Sequence, residues 1–277
     1  MPSLITNAVM TQKLPGVYAA RKKDNSLYYR ASLTFRERHI SLGSYNQAEQ
    51  AHLAYQEGLK LVNSLTALTE YSPQSPLSFL KWVILINFRD HGLYFSMPIY
   101  LKNKYFLYYL DSSYILKFDI DDLFYYSTKK IMRRGGHLFV NDYGMQFNIL
   151  NRYGIRSYAV LNRDYRFLNG DSQDLRYENI EIINRFYGIT HTPVKNGSQP
   201  LYKVRLHIRS SYVVGVYTKE TEAAIAYNKA VDIVKKNGID RNFPLNYIEG
   251  LSPATYAHIY SLLPIADKIY TLTPQNT

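Results

Sequence analysis

The sequence predicts an α+β chain in which one small unit, a three-stranded antiparallel sheet backed by a helix, occurs twice around a different central part. Two observations carry this. Two segments match at a constant offset of 172 residues, at Gly16/Gly188, Gly43/Gly215, Ala51/Ala223, Ala54/Ala226 and Tyr55/Tyr227, with a one-residue slip confined to the strands. Within each segment a strictly alternating run precedes a helical pattern, and alternation with period two marks a half-buried strand.

In the first copy, Gly16 to Ala20 reads as an opening strand. Tyr29, Ala31, Leu33 and Phe35 then fall on one face of a second strand, and Arg30, Ser32, Thr34 and Arg36 on the other. Ile40-Ser41-Leu42 is the returning strand. A helix follows from Asn46 to about Leu65, with Asn46 and Glu49 spaced for a capping box. Its face of Ala51, Ala54, Tyr55, Gly58 and Val62 is small enough to lie close on the sheet. The second copy repeats the pattern. Gly188 to Thr192 opens it, and Tyr202, Val204, Leu206 and Ile208 alternate with Lys203, Arg205, His207 and Arg209. Val213-Val214 returns, Thr218 is the expected cap, and Ala223, Ala226, Tyr227, Ala230 and Val234 face the sheet. Three strands with a helix behind them can stand alone where two bare strands cannot.

Between the copies, the Pro- and Ser-rich residues 69–78 read as a linker and Leu77 to Asp90 as a helix. Asp119, Asp121 and Asp122 lack the Gly and Glu placement of a calcium loop and read as a solvated helix start. The expected division is a first module over 1–68, a central domain over 79–187, a second module over 188–250 and a helical tail over 251–277. Residues 1–15 read as a flexible arm. In the tail, an apolar helix over Ala254 to Leu263 is a candidate for docking back or for self-association as a homodimer.

The chain has 277 residues, room for two or three modules, and its 46% hydrophobic content is that of a folded protein. With no Cys, disulfides and thiolate metal sites are excluded, which fits a reducing cytosol. The start shows no signal-peptide pattern, and the longest apolar stretch, Phe79 to Phe88, is far too short to span a bilayer. A soluble, cytoplasmic protein without membrane partners is therefore expected. The formal charge of +11 points to an acidic partner. It is concentrated in the repeats, since residues 1–66 and 188–250 each carry a net +4.

A sheet face offering Arg, Lys, His, Ser and Thr suits the DNA major groove, which admits a β-ribbon and where Arg can bind guanine through two hydrogen bonds. The candidate DNA-binding residues are Arg30, Ser32, Thr34 and Arg36 in the first copy and Lys203, Arg205, His207 and Arg209 in the second. The neighbouring Arg21, Lys22, Lys23 and Arg38 extend the first set. A solvated polar face gives the same alternation, but two copies of it in a basic chain favour double-stranded DNA. Both segments resemble AP-two domains, the APETALA/ethylene-response-factor family of DNA-binding modules. The shared signature is Gly-Val, an aromatic-led basic strand, Leu-Gly-x-Tyr/Phe and an E-x-A-x-x-A-Y helix, and copy two adds Asn242-Phe243. The resemblance covers about 50 residues of each copy and implies the family's fold and its groove-binding mode. Tyr29 and Tyr202 stand where the family usually has Trp.

A second resemblance lies in the segment Tyr165 to Asn184. Asn169-Gly170-Asp171, Asp174, Arg176 and Asn179-Ile180 resemble the HNH motif of phage and intron homing endonucleases. The upstream Met145 to Leu150 is similar to that family's L-H-R-x-I-L helix start, and Tyr108 to Phe124 to the preceding strands. Members often carry an AP-two module next, as at Gly188. The resemblance implies a ββα domain and a metal-dependent hydrolytic site, which needs a His base and a carboxylate with Asn or His on the metal. Here the base position is Phe167, the carboxylate position Arg166, the upstream His position Gln146, and only Asn179 remains. The site is therefore read as degenerate, with no catalytic residue, no metal and no cofactor. Arg166 is a candidate phosphate clamp, and Asp174 with Arg176 a candidate internal brace.

No Walker loop, G-x-S-x-G or H-E-x-x-H motif occurs, and the seven His show no ligand spacing. The expected function is sequence-specific DNA binding without cleavage, hence transcriptional regulation, in a phage or mobile-element setting. The rivals are a nicking endonuclease with an altered site and a basic protein-binding surface.

Overall fold

The computed structural model describes residues 14–192 and 199–275. The chain forms two compact units. Unit 1 runs to Gln146 and takes in Gln173–Arg176, while unit 2 holds Phe147–Ser172 and continues from Tyr177. The fold is mixed α+β, built on several small antiparallel sheets with few helices. No helix among the described residues is long and apolar enough to cross a membrane. The arm expected over residues 1–15 lies almost wholly outside the described residues.

In unit 1 the expected alternation produces β1 (Val17–Arg21), β2 (Leu27–Phe35) and β3 (Arg38–Tyr45), an antiparallel sheet in the order β1-β2-β3. Ala31, Leu33, Ile40 and Leu42 are buried under α1 (Ala48–Asn63). The helix can come so close because its facing residues are small. Ala51 and Ala54 are fully buried, and a Cβ on Gly58 would stand 2.8 Å from Leu33 and 3.0 Å from Leu42. The helix begins one residue later than expected. Gln47 is the N-cap and makes no side-chain cap bond, so the Asn46–Glu49 box does not form.

The expected linker is a docked part of this core. Tyr45 donates to the Pro76 carbonyl at 2.9 Å, Ser75 donates to Glu57 at 2.6 Å, and Tyr71 packs edge-on against Trp82. Helix α2 (Phe79–His91) starts at the Ser78 cap and stops at left-handed Gly92. Its residues Trp82 to Phe88 are buried, and Trp82, Leu85, Ile86 and Phe88 join the core of the first sheet. The apolar run therefore belongs with the first module, and the expected boundary near residue 78 is not where the packing breaks.

Buried Asn87 ties α2 to the next sheet, accepting from the Leu101 amide and donating to the Leu93 carbonyl, both at 2.9 Å. That sheet comprises β4 (Ile99–Leu101), β5 (Tyr105–Tyr109) and β6 (Ile115–Asp119). Phe106, Tyr108, Leu116 and Phe118 form its core with Tyr126 of the short helix α3 (Leu123–Tyr126). Asp122 at the entry to α3 is fully buried, contrary to the solvated start expected there. Next come β7 (Met132–Arg134), β8 (His137–Asp142) and β9 (Met145–Asn148). The segment expected to start a helix at Met145 is thus a strand. It is followed by a 3-10 turn over Ile149–Tyr153.

Unit 2 contains the short hairpin of β10 (Tyr165–Phe167) and β11 (Ile180–Ile182). No α-helix lies between Gly144 and Gly188, so the helix of a ββα unit is missing. Strands β12 (Ile189–Thr192), β13 (Leu201–His207) and β14 (Ser211–Tyr217) form the second repeat's sheet. Helix α4 (Glu220–Lys236) covers it, with Lys219 rather than Thr218 as N-cap. The tail docks back through α5 (Pro253–Leu262) and α6 (Asp267–Tyr270). Lys229 donates to the Leu263 carbonyl at 2.8 Å, and Asn237 donates to the Tyr270 and Leu272 carbonyls at 2.9 Å.

Candidate nucleic-acid interface

The two sheets match in details that the sequence did not reveal. In each, the third strand carries one extra residue at the same place. Ala31 pairs with Gly43 and Ser32 with Ser41, which leaves out Leu42. Likewise Val204 pairs with Gly215 and Arg205 with Val213, which leaves out Val214. A bulge bends the strand and sharpens its twist. Next to it, the amides of Ser32 and Arg205 donate to the carbonyls of Gly16 and Gly188 at 3.0 and 2.7 Å. Both glycines have φ near +70°, and the rings of Tyr55 and Tyr227 occupy the space a Cβ would need. Finally, Tyr45 and Tyr217 each donate to a proline carbonyl, of Pro76 and of Pro264, the latter at 2.7 Å. Burial, helped by the nearby Tyr270, pushes the Tyr217 phenol up to about 12, so it remains a donor at neutral pH.

The shared register lines up three rows on the face turned away from each helix. In the first sheet they are Tyr18-Arg30-Ser44, Ser32-Ser41 and Thr34-His39. In the second they are Thr190-Lys203-Val216, Arg205-Val213 and His207-Ser211. The faces differ in chemistry at equivalent positions. The first is hydroxyl-rich with one guanidinium, and the second has two cations beside Val213 and Val216, which are 42% and 53% exposed. Such valines match the thymine methyl group that lines a major groove.

Not every candidate side chain is open to a ligand on this face. Ser32, beside the bulge, is only 7% exposed. Arg36 and Glu37 form the β2–β3 turn with φ of 47° and 61°, and this breaks the alternation. Arg36 therefore swings over the end of α2 and donates to the Phe88 and Arg89 carbonyls at 3.3 and 3.2 Å. A cation there answers the helix dipole and adds a donor to its last carbonyls. Arg38 stacks on Tyr94 at 4.3 Å. Arg21 donates to the Asn25 carbonyl and so braces the first turn, on which Lys22 and Lys23 are exposed. Arg30, Thr34, Arg205, His207 and Arg209 are exposed, and Lys203 is partly so.

The segment whose sequence resembles a nuclease motif is held by its own hydrogen bonds. Asn179 is 3% exposed. Its side-chain oxygen accepts the Asn169 amide at 2.8 Å, and its nitrogen donates to the Asp171 carbonyl at 3.3 Å. Gly170 turns the loop with φ of 77°. In unit 1, Arg176 holds Asp174 through two bonds of 2.8 and 2.7 Å, the brace expected from the sequence. Arg166 pairs across the hairpin with Glu181, and both are about half exposed. Its charge is already answered, which weighs against the phosphate clamp. Phe167 packs edge-on against Tyr165, and Gln146 is exposed on β9. Asn179→Ala is expected to destabilise unit 2 by about 1–3 kcal/mol, because the Asn169 amide and Asp171 carbonyl lose their partner. Thermal denaturation checks this.

Sequence reasoning missed the polar centre of unit 2. Asp164, 1% exposed, accepts from Arg156 at 2.9 Å, from Arg163 at 2.8 Å and from the Val160 amide at 2.8 Å. Burial opposes its ionisation, but these bonds and the two guanidinium charges outweigh burial and hold the carboxyl below its ordinary range. Asn228 and Asn246 form a second clamp, in which Asn246 also binds both the amide and the carbonyl of Tyr187 just before β12. Nothing in local periodicity announces either cluster, since their partners are distant or irregular in sequence.

No family model, curated protein or solved structure matches the chain.

Proposed function

We propose that this protein binds double-stranded DNA sequence-specifically through the two open sheet faces, without cleaving it, and acts as a transcriptional regulator. The observation that carries this reading is the shared bulged register. It presents Arg30 on one face, and Lys203 and Arg205 on the other, opposite a supporting helix, in a chain of net charge +11. Basic β-ribbons of this width fit the major groove, and Arg there reads guanine. The likeness of both repeats to AP-two modules supports the same mode. The nuclease-like segment supports binding over hydrolysis, because the side chain of Asn179, the one remaining motif ligand, is spent on its own loop.

The two faces would read different half-sites, since Ser41 and Ser44 replace Val213 and Val216 at equivalent positions. Selection of genomic fragments by the purified chain, followed by sequencing, tests the reading. A bipartite motif is expected. Arg205→Ala is expected to weaken binding to it by about 1–3 kcal/mol and to relax one base position. Nicking of supercoiled plasmid in magnesium that disappears in Asn179→Ala would overturn the non-cleaving reading, and retention of no fragment at moderate salt would overturn DNA binding itself.

A further inference from the structure

We propose that the β7–β8 hairpin is a third DNA contact, a finger that grips backbone phosphates and reads no bases. The proposal rests on the duplex-binding reading above but uses a surface outside both repeats. Residues 129–137 contain Lys129, Lys130, Arg133, Arg134 and His137 and no carboxylate. Lys129 is answered by Asp142 at 2.9 Å. Lys130, Arg133, Arg134 and His137 are all exposed.

Packing does not account for this composition. β7 and β9 bury no residue, and β8 buries only Val140. The turn is Gly135-Gly136, with φ of 54° and 82°, and an added Cβ at either would meet nothing within 4 Å. The tip thus stands clear on its sides, with backbone amides that a phosphate can approach. The two arginines are also laid out in advance. Arg133 lies over the Tyr114 ring at 4.5 Å, and Arg134 over Phe139 at 5.7 Å. Stacking uses the face of a guanidinium and leaves its edge donors for an anion, and it lowers the entropy lost on binding. Arg133 lies within the electrostatic reach of a carboxylate, Asp111. Its hydrogen bonds go to Ser113 and the Tyr114 amide, and these, with a smaller contribution from Arg133, keep it below its ordinary range. The two arginines are successive on β7 and so lie on opposite faces of the hairpin, where each can meet a phosphate oxygen, a contact that positions a protein without specifying sequence.

The test uses the full chain, Arg133→Ala/Arg134→Ala, and fluorescence anisotropy on the selected duplex and on a scrambled one over a range of salt. Both duplexes are expected to weaken several-fold and to the same degree. The slope of log affinity against log salt is expected to fall by roughly 2, about 0.9 for each phosphate that the variant no longer neutralises. Arg133→Lys/Arg134→Lys should restore most of the slope, since Lys binds phosphate as a point charge. An unchanged slope with unchanged melting temperature overturns the finger while leaving the repeats' role intact. A weakening confined to the selected duplex overturns it too, because that is base readout. Wild-type protein that binds neither duplex overturns the underlying DNA reading and the finger with it.

Discussion

Asp164→Ala is expected to cost about 3–5 kcal/mol of unit 2's stability, the range for removing one partner of a buried ion pair. The change leaves Arg156, 10% exposed at its side chain, without its carboxylate. It also strips the Val160 amide and the Asn184 side-chain amide of an acceptor. The pH dependence separates this from a simple cavity. The Asp164 carboxyl is held below its ordinary value, so its stabilising contribution is complete above about pH 4 and drains away as pH falls through the folded value. Wild-type protein should therefore lose melting temperature on acidification more steeply than Asp164→Asn, whose side chain does not titrate. Parallel acid slopes in the two proteins would refute the role assigned to this carboxylate.

Gly188→Ala should be nearly as damaging. The φ of +70° costs a non-glycine residue about 1–2 kcal/mol, and overpacking adds about 1–3. The added methyl would collide with the Tyr227 ring and stand 2.5 Å from the Arg205 carbonyl. Gly16→Ala meets only the Tyr55 ring among its nearest atoms. Truncating the ring should thus relieve Gly16→Ala more fully than Gly188→Ala, because a backbone carbonyl cannot step aside. Urea unfolding of the two double-variant cycles reads this difference directly.

What could be read from the chain alone, and what could not, follows from the range of the forces involved. The strand and helix of each repeat were legible because alternation and small-residue spacing are local. Val204, Leu206 and Ile208 are buried, and so are Ala223, Ala226 and Ala230, as their periodicity requires. The fate of Arg36 was not legible. Its alternation predicted the open face, but its partners are the carbonyls of Phe88 and Arg89, more than fifty residues on. The burial of Ser32 was not legible either, since the bulge beside it depends on how β3 pairs. The docked linker and the core role of α2 depend on Tyr45 reaching Pro76 and Tyr71 reaching Trp82. The polar character of Asn179 was visible, but its use as a loop clamp was not.

The return of Gln173–Arg176 to unit 1 has a consequence for biosynthesis. The Lys117 amide donates to the Gln173 carbonyl at 2.9 Å, and the Leu175 amide donates back to the Lys117 carbonyl at 2.8 Å. Leu175 and Asp174 are buried there. A nascent chain that has emerged only to residue 146 holds β6 with this edge unpaired, and unpaired edges invite wrong partners. At the usual rate of about 5–20 residues per second the exposed interval lasts a few seconds. Residues up to Gln146 thus emerge from the ribosome before the partner of this edge does, and a chain cut after Gln146 is expected to keep the edge unpaired.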